Sequence, residues 1–208
     1  MKLEIEFDVR AFEAAAEAVV STAVGPAMVD ALNAAAEAGR LAVVEAMPAY
    51  IDRPTPFTTL GVGTFPAVVD PAGLRDPAAL VRIKPDQAAY LQYEILGGTR
   101  GPGDYATTAL GPLVPGPDAQ LDAYGNMPRH YVDDEIADGA AWVSLKPGEP
   151  PALVRRTGGR LEVLAMIVHE IHYDVARLPF YDLVTGAATA AFPAAFDAAL
   201  AARLAQVR

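Results

Sequence analysis

The sequence predicts an α+β fold with an N-terminal strand and a long helix, an antiparallel sheet, a C-terminal helix and a long Gly/Pro-rich arm. Apolar and charged residues alternate at the N-terminus, alanine-rich stretches have helical spacing, and short turns separate apolar runs around residue 150. The chain has 208 residues, of which 52% are apolar, so it can bury one sizeable core. We therefore predict a single domain over residues 1–208, in which residues 97–139 form an extended loop or arm.

Hydrophobic spacing predicts the first elements. In residues 2–8, KLEIEFD, apolar and charged side chains alternate, as is typical of a half-buried strand. Residues 11–24 are rich in helix formers, with their larger apolar side chains on one face. Gly25 and Pro26 mark the start of a second helix, because proline suits the first helical turn, and Pro48 is expected to end that helix.

A stiff connector, YIDRPTPFT at residues 50–58, follows the second helix. Arg53 and Thr55 each precede a proline and are therefore expected in extended rather than helical geometry. Residues 79–85, ALVRIKP, predict a short strand. Residues 87–98, QAAYLQYEILGG, could be strand or helix, and the alternation of polar and apolar side chains favours a strand.

The region 97–139 contains eight glycines and five prolines. A loop of this length is uncommon inside a compact domain and is usually functional or mobile, which is why we predict an arm.

Regular structure is expected to resume after residue 139. Residues 140–171 predict three antiparallel strands separated by turns at 146–151 and 157–159, with the mostly apolar third strand in the centre of the sheet. After Gly186, residues 187–208 have apolar side chains every three or four positions and predict a terminal helix with Pro193 near its first turn.

Charge and composition limit the classes of partner. The net charge is −10, from 26 acidic and 16 basic residues, and no basic run is longer than Arg155-Arg156. We therefore expect no sequence-specific binding of nucleic acid. No stretch of about 18 consecutive apolar residues occurs, so we expect no membrane partner. There is no cysteine, which excludes disulfides and thiolate chemistry.

The segment HEIHYD, residues 169–174, is the one candidate for metal or catalytic chemistry. Zinc hydrolases place two histidines at positions i and i+4 of a helix, with a glutamate as the base. Here His169 and His172 are three positions apart and follow a β-branched run that favours a strand, in which they would point to opposite faces. Glu170, His172 and Asp174 would share a face. We therefore favour a structural role and expect no metal or cofactor, and we keep a metal-dependent hydrolase as the alternative.

Four segments in order carry a family resemblance. They are DRPTPFT (52–58) after the alanine-rich helix, IKPDQAAYLQYEILGGTRGPG (83–103), QLDAYGNMPR (120–129), and the ending that begins HYDVARLPFYD (172–182). Together they resemble the minor tail protein Z family of tailed bacteriophages, also called tail completion proteins, across most of the chain.

The resemblance implies a non-enzymatic virion protein at the head-proximal end of the tail or in the neck. Such a protein would form a homo-oligomeric ring of six copies that completes or terminates the tail and helps to join it to the head. Its other partners would be neck and tail proteins, namely the tail tube, terminator and head-closure proteins, with DNA passing through the lumen. It would be located in the virion, and in the host cytoplasm during assembly.

The connector and the arm supply the candidate subunit contacts. An arginine or an aromatic residue in a Gly/Pro-rich loop finds little burial inside its own domain and suits an interface. On this basis the predicted subunit-interface residues are Arg53, Phe57, Arg100, Tyr105, Leu121, Tyr124 and Met127.

Overall fold

The computed structural model describes residues 8–70 and 76–206 and confirms the α+β class. The helices are α1 (Val9–Val19), α2 (Gly25–Tyr50), α3 (Pro56–Thr59), α4 (Pro85–Leu96), α5 (Tyr131–Ala137) and α6 (Phe180–Leu204). The strands are β1 (Val62–Phe65), β2 (Leu80–Ile83), β3 (Gly98–Arg100), β4 (Thr107–Thr108), β5 (Gly111–Pro115), β6 (Ala141–Val143), β7 (Ala152–Thr157), β8 (Arg160–Ile167) and β9 (Ile171–Tyr173).

The chain divides into two compact units. The first, here called the helical unit, contains α1, α2 as far as Ala46, the antiparallel β1–β2 pair and α6. The second, here called the sheet unit, contains residues 47–61 and 84–179, and therefore all the remaining elements.

In the helical unit, α1 and α2 are joined by a π-helical turn at Val20–Val24 rather than by a break. The predicted strand at residues 2–8 lies outside the described residues, apart from Asp8, whose carboxylate caps α1 by accepting a hydrogen bond from the N–H of Ala11. The helix predicted over residues 11–24 is confirmed in its α1 part, and no residue of α1 is buried.

Small side chains allow α2 to pack closely in this unit. Ala27, Ala31 and Ala35 recur every four residues and are all buried, so they form one face of the helix. Asn33 accepts a hydrogen bond from the N–H of Ala67 at 2.7 Å and donates one to its carbonyl at 3.1 Å. Near the end of α6, the guanidinium of Arg203 forms an ion pair with Asp30.

Two predictions based on helix breakers are wrong. Pro48 does not end α2, which continues for two more residues to Tyr50, so the proline disturbs only the last turn of the helix. The C-terminal helix begins at Phe180 rather than at 187, so both Gly186 and Pro193 lie in its interior. Partial burial along one face of α6 outweighs the low helix propensity of these two residues.

The strand favoured for residues 87–98 is also wrong, because residues 85–96 form helix α4. Pro85 occupies the first turn, Asp86 lies near the positive end of the helix dipole, and Gly97 ends the helix at φ 73°. Gln87 and Leu91, one helical turn apart, are buried on the same side.

The sheet unit contains a five-stranded antiparallel sheet in the order β4-β5-β8-β7-β6 and a separate β3–β9 pair. The three strands predicted over residues 140–171 are confirmed as β6, β7 and β8, and β8 is central as predicted. The turn between β7 and β8 is formed by Gly158 and Gly159, both with positive φ.

Residues 97–139 are more regular than the predicted arm, because they contain β3, β4, β5 and α5. Part of this segment also packs on the core of the sheet unit. That core is formed by Tyr131, Ala140, Leu153, Leu164 and Ala165, with Leu113, Ala119, Met127 and Val132 packed against it.

Within the described residues, two helical stretches, 9–50 and 180–204, are long and apolar enough to cross a membrane. Core helices of globular proteins have the same length and composition, and each stretch contains acidic residues, such as Asp30 and Asp182. The absence of a membrane partner therefore stays a prediction.

Candidate functional site

The connector after α2 has the geometry that its prolines predict. Arg53 lies at φ 45° and Thr55 is extended, so neither is helical. The Arg53 guanidinium donates to both carboxylate oxygens of Asp52, and this interaction lowers the pKa of Asp52. Thr55 caps the short helix α3. Within that helix, the hydroxyl of Thr58 lies 3.0 Å from the hydroxyl of Tyr90 in α4.

Arg100, at the end of β3, supports the loop that follows it. One terminal nitrogen of its guanidinium donates to the carbonyls of Tyr105 at 2.7 Å and Ala106 at 2.9 Å. Its Nε is buried without a hydrogen-bond partner, and no carboxylate among the described residues forms an ion pair with it. Within this part of the chain, Arg100 therefore holds the loop through main-chain carbonyls rather than through an ion pair.

A third segment, Asp122–Asn126, turns tightly beside Arg53. The carboxylate of Asp122 accepts hydrogen bonds from the N–H groups of Tyr124 at 2.8 Å and Asn126 at 2.9 Å. Gly125 has φ 80°, and a Cβ atom there would lie only 2.5 Å from Nη2 of Arg53. The positive φ of the turn therefore favours glycine, while a Cβ atom would require only the flexible end of the Arg53 side chain to shift.

These segments line one pocket of about 200 Å³ in the sheet unit. Pockets for drug-sized ligands and cofactors are usually about 300–1,000 Å³, so this one has the size of a side chain. It brings together three of the predicted interface residues, which are far apart in the sequence. The lining residues are Ile51, Asp52, Arg53, Pro54, Thr55, Thr58, Tyr90, Leu91, Glu94, Arg100, Tyr124, Asn126 and Tyr173.

Tyrosines form much of the surroundings of the pocket. Tyr105 stacks on Tyr90 with 6.4 Å between ring centroids, and Tyr93 stacks on Tyr173 at 5.3 Å. Burial raises the pKa of Tyr90 and that of Tyr93 above the ordinary value.

These two tyrosines are expected to make the fold sensitive to alkaline pH. A raised pKa means that the folded state holds the phenol proton more tightly, so this stabilisation is complete below pH ~10 and is lost as the pH rises through the folded-state pKa values. Native protein should show tyrosinate absorbance that appears at higher pH than in urea-unfolded protein. Tyr93→Phe should remove one of the late-titrating groups, and an unchanged titration would contradict the assignment.

Of the four predicted contact residues that do not line the pocket, three are exposed: Phe57 by 53%, Tyr105 by 50% and Leu121 by 44%. Met127 is half-buried and packs against the core of its own unit. Sequence reasoning did not single out Tyr90, Asp122 or Gly125, although an aspartate three residues before a glycine is a recognisable turn signal.

We predicted that the segment HEIHYD forms the end of the central strand, and this prediction is wrong. β8 ends at Ile167, His169 lies in the following bend, and His172 belongs to β9. Glu170 and His172 do share a face, with Nε2 of the ring 3.0 Å from Oε1 of the carboxylate.

Each histidine has its own partners. The second ring nitrogen of His172 lies 3.0 Å from the Thr99 hydroxyl in β3, while His169 lies 3.7 Å from the Glu149 carboxylate. Within residues 8–70 and 76–206, no three histidine or acidic side chains are grouped so that they could hold a metal ion.

Comparisons with protein-family models, with curated proteins and with solved structures found no match to this chain.

Proposed function

We propose that this chain is a structural, non-enzymatic virion protein of a tailed bacteriophage or phage-like particle. It forms a homo-oligomeric ring, of six copies by the resemblance, at the head-proximal end of the tail or in the neck. The ring completes or terminates the tail and helps to join it to the head. Its neighbours are tail tube, terminator and head-closure proteins, and it assembles in the host cytoplasm before it becomes part of the virion.

The observation that carries this proposal is the side-chain-sized pocket. Arg53, Arg100 and Tyr124 line it, and the exposed ring of Tyr105 lies next to it, stacked on Tyr90. Arginine and tyrosine are the residue types that most often dominate protein interfaces, where they surround or fill pockets of this kind. A pocket of this size supports contact with another polypeptide rather than binding of a cofactor.

The charge of the chain is consistent with DNA passing through a ring lumen. At a net charge of −10, the protein has no excess of lysine and arginine to neutralise phosphates along a duplex. A ring lumen lined by such a protein would let DNA pass without binding it tightly.

The experiment is to measure the mass of the full-length protein in solution by analytical ultracentrifugation and to examine it by negative-stain microscopy. We expect rings, and Phe57→Asp should weaken self-association by roughly 30-fold or more, because removing an interface hot spot costs about 2 kcal/mol or more. Val175→Asp is the matched control: Val175 is another exposed apolar residue of the sheet unit, at 70%, and is not a predicted contact, so this variant should still assemble.

Two outcomes would overturn the proposal. One is a protein that stays monomeric at high concentration and never associates with tail or portal components. The other is stoichiometric zinc in the purified protein that is lost in His172→Ala, which would favour the metal-dependent hydrolase instead.

A further inference from the structure

The five-stranded sheet has two free edges within the described part of the chain. β6 pairs only with β7, and β4 pairs only with β5, so the outer side of each strand has no strand partner there. Unpaired N–H and C=O groups on such an edge can form main-chain hydrogen bonds with a strand from another chain.

The β6 edge is only three residues long, but it lacks the charged residues and prolines that often block strand addition. Proteins protect edges with charged residues or prolines in the edge strand, but β6 reads Ala-Trp-Val and all three residues are exposed. Trp142 and Val143 are 37% and 41% exposed, and Leu145 just beyond is 48% exposed. Ala140, immediately before the strand, is buried in the core of the sheet unit.

The opposite edge also presents an apolar side chain. β4 and β5 form a hairpin in which Thr107 pairs with Pro112 and Thr108 with Gly111. Leu110, in the turn of this hairpin, is more than half exposed. A single copy therefore has two edges of the same sheet, with Trp142 and Val143 exposed at one and Leu110 exposed beside the other.

We propose that β6 of one copy pairs with β4 of the next copy, so that the two sheets become continuous. The inference rests on the proposed ring function and adds one contact between its subunits to those predicted for the connector and the region 97–139. A second copy is the occupant because the same sheet supplies both edges. Since β6 and β4 are different surfaces, the contact is head-to-tail, and it can repeat from copy to copy and close into a ring.

Cross-linking of the full-length protein tests the pairing. The chain has no cysteine, so a Leu110→Cys, Val143→Cys double variant carries only the two reporter thiols. A short bis-maleimide should link neighbouring copies into a ladder of covalent multimers. The matched control combines Leu110→Cys with Leu161→Cys, because Leu161 is exposed to the same extent as Val143 but lies on the central strand β8. The control should give no ladder.

Fluorescence gives a second readout, because Trp142 is the only tryptophan in the chain. On assembly its emission should shift to shorter wavelength as the edge becomes covered. Val143→Lys should abolish the shift and weaken self-association by at least about ten-fold, since a lysine on an edge strand opposes pairing. Leu161→Lys should leave both unchanged, and circular dichroism should show that both variants are folded.

The outcomes separate this inference from the function on which it rests. If rings form while the emission of Trp142 stays unchanged and the cysteine pair gives no ladder, the edge pairing is wrong and the ring proposal stands. If no ring forms at any concentration, both are wrong.

Discussion

Gly111→Ala is expected to destabilise the sheet unit by about 3 kcal/mol or more. Gly111 begins β5 at φ 130°, and a Cβ atom there would lie 2.0 Å from the carbonyl oxygen of Val168 and 2.8 Å from that of His169. Backbone strain costs about 1–3 kcal/mol and forced overpacking about as much again. The two segments cannot simply separate, because the N–H of Val168 donates to the carbonyl of Pro112 at 2.9 Å. Urea unfolding followed by circular dichroism measures the loss.

Gly98→Ala is the control for the backbone part of this effect. Gly98 also has a positive φ, 116°, but a Cβ atom there would have no heavy atom within 4 Å. The Gly98→Ala variant should therefore lose only the free energy of unfolding that corresponds to backbone strain, about 1–3 kcal/mol. If both variants lost the same free energy of unfolding, the close approach of Gly111 to Val168 would make no contribution beyond backbone strain.

The sequence-based predictions succeeded where local signals agreed with packing. The strands β6, β7 and β8 are marked by apolar runs and by turns rich in glycine and proline, and the short turns leave antiparallel pairing as the natural arrangement. The mostly apolar composition of β8 predicted its central position, since a strand with neighbours on both sides is more buried than an edge strand.

The predictions failed where one local sequence signal was followed although another signal, or the packing of the helix, favoured a different structure. In α4, the alternation from Tyr90 to Ile95 outweighed the helix signals on either side, Pro85 before it and Gly97 after it. In α6, Gly186 and Pro193 were taken as boundaries, but a helix of 25 residues packed along one face tolerates both. Propensity is a weak prior that tertiary contacts can override.

Three of the residues that line the pocket were among the predicted contact residues, but their arrangement was not predicted. Loop composition selected Arg53, Arg100 and Tyr124, yet nothing local indicates that they line one pocket, because their convergence depends on how the connector, α4, β3 and the Asp122–Asn126 turn pack together. Met127 shows the limit of the same rule: it lies in the same loop region but packs on the core of the sheet unit.

Leu153→Ala is expected to cost about 2–5 kcal/mol, as is typical when a fully buried leucine is truncated and leaves a cavity. Leu153 lies in β7 with no exposed surface and packs in the core of the sheet unit. It is paired directly with Trp142 of β6, and in the next strand with Ala165 of β8. Its side chain therefore supports the edge strand that we propose as a subunit contact.

The control for this variant is Leu161→Ala, which removes the same atoms from an exposed position of β8 and should change stability by no more than about 0.5 kcal/mol. Urea unfolding followed through Trp142 measures both. Since Leu153 faces the tryptophan across the strand pair, the cavity should also loosen β6 and weaken self-association at temperatures where the unit is still folded. A Leu153→Ala protein as stable as the control would mean that the core beneath β6 is not close-packed, and the edge would then lack the rigid support that strand addition requires.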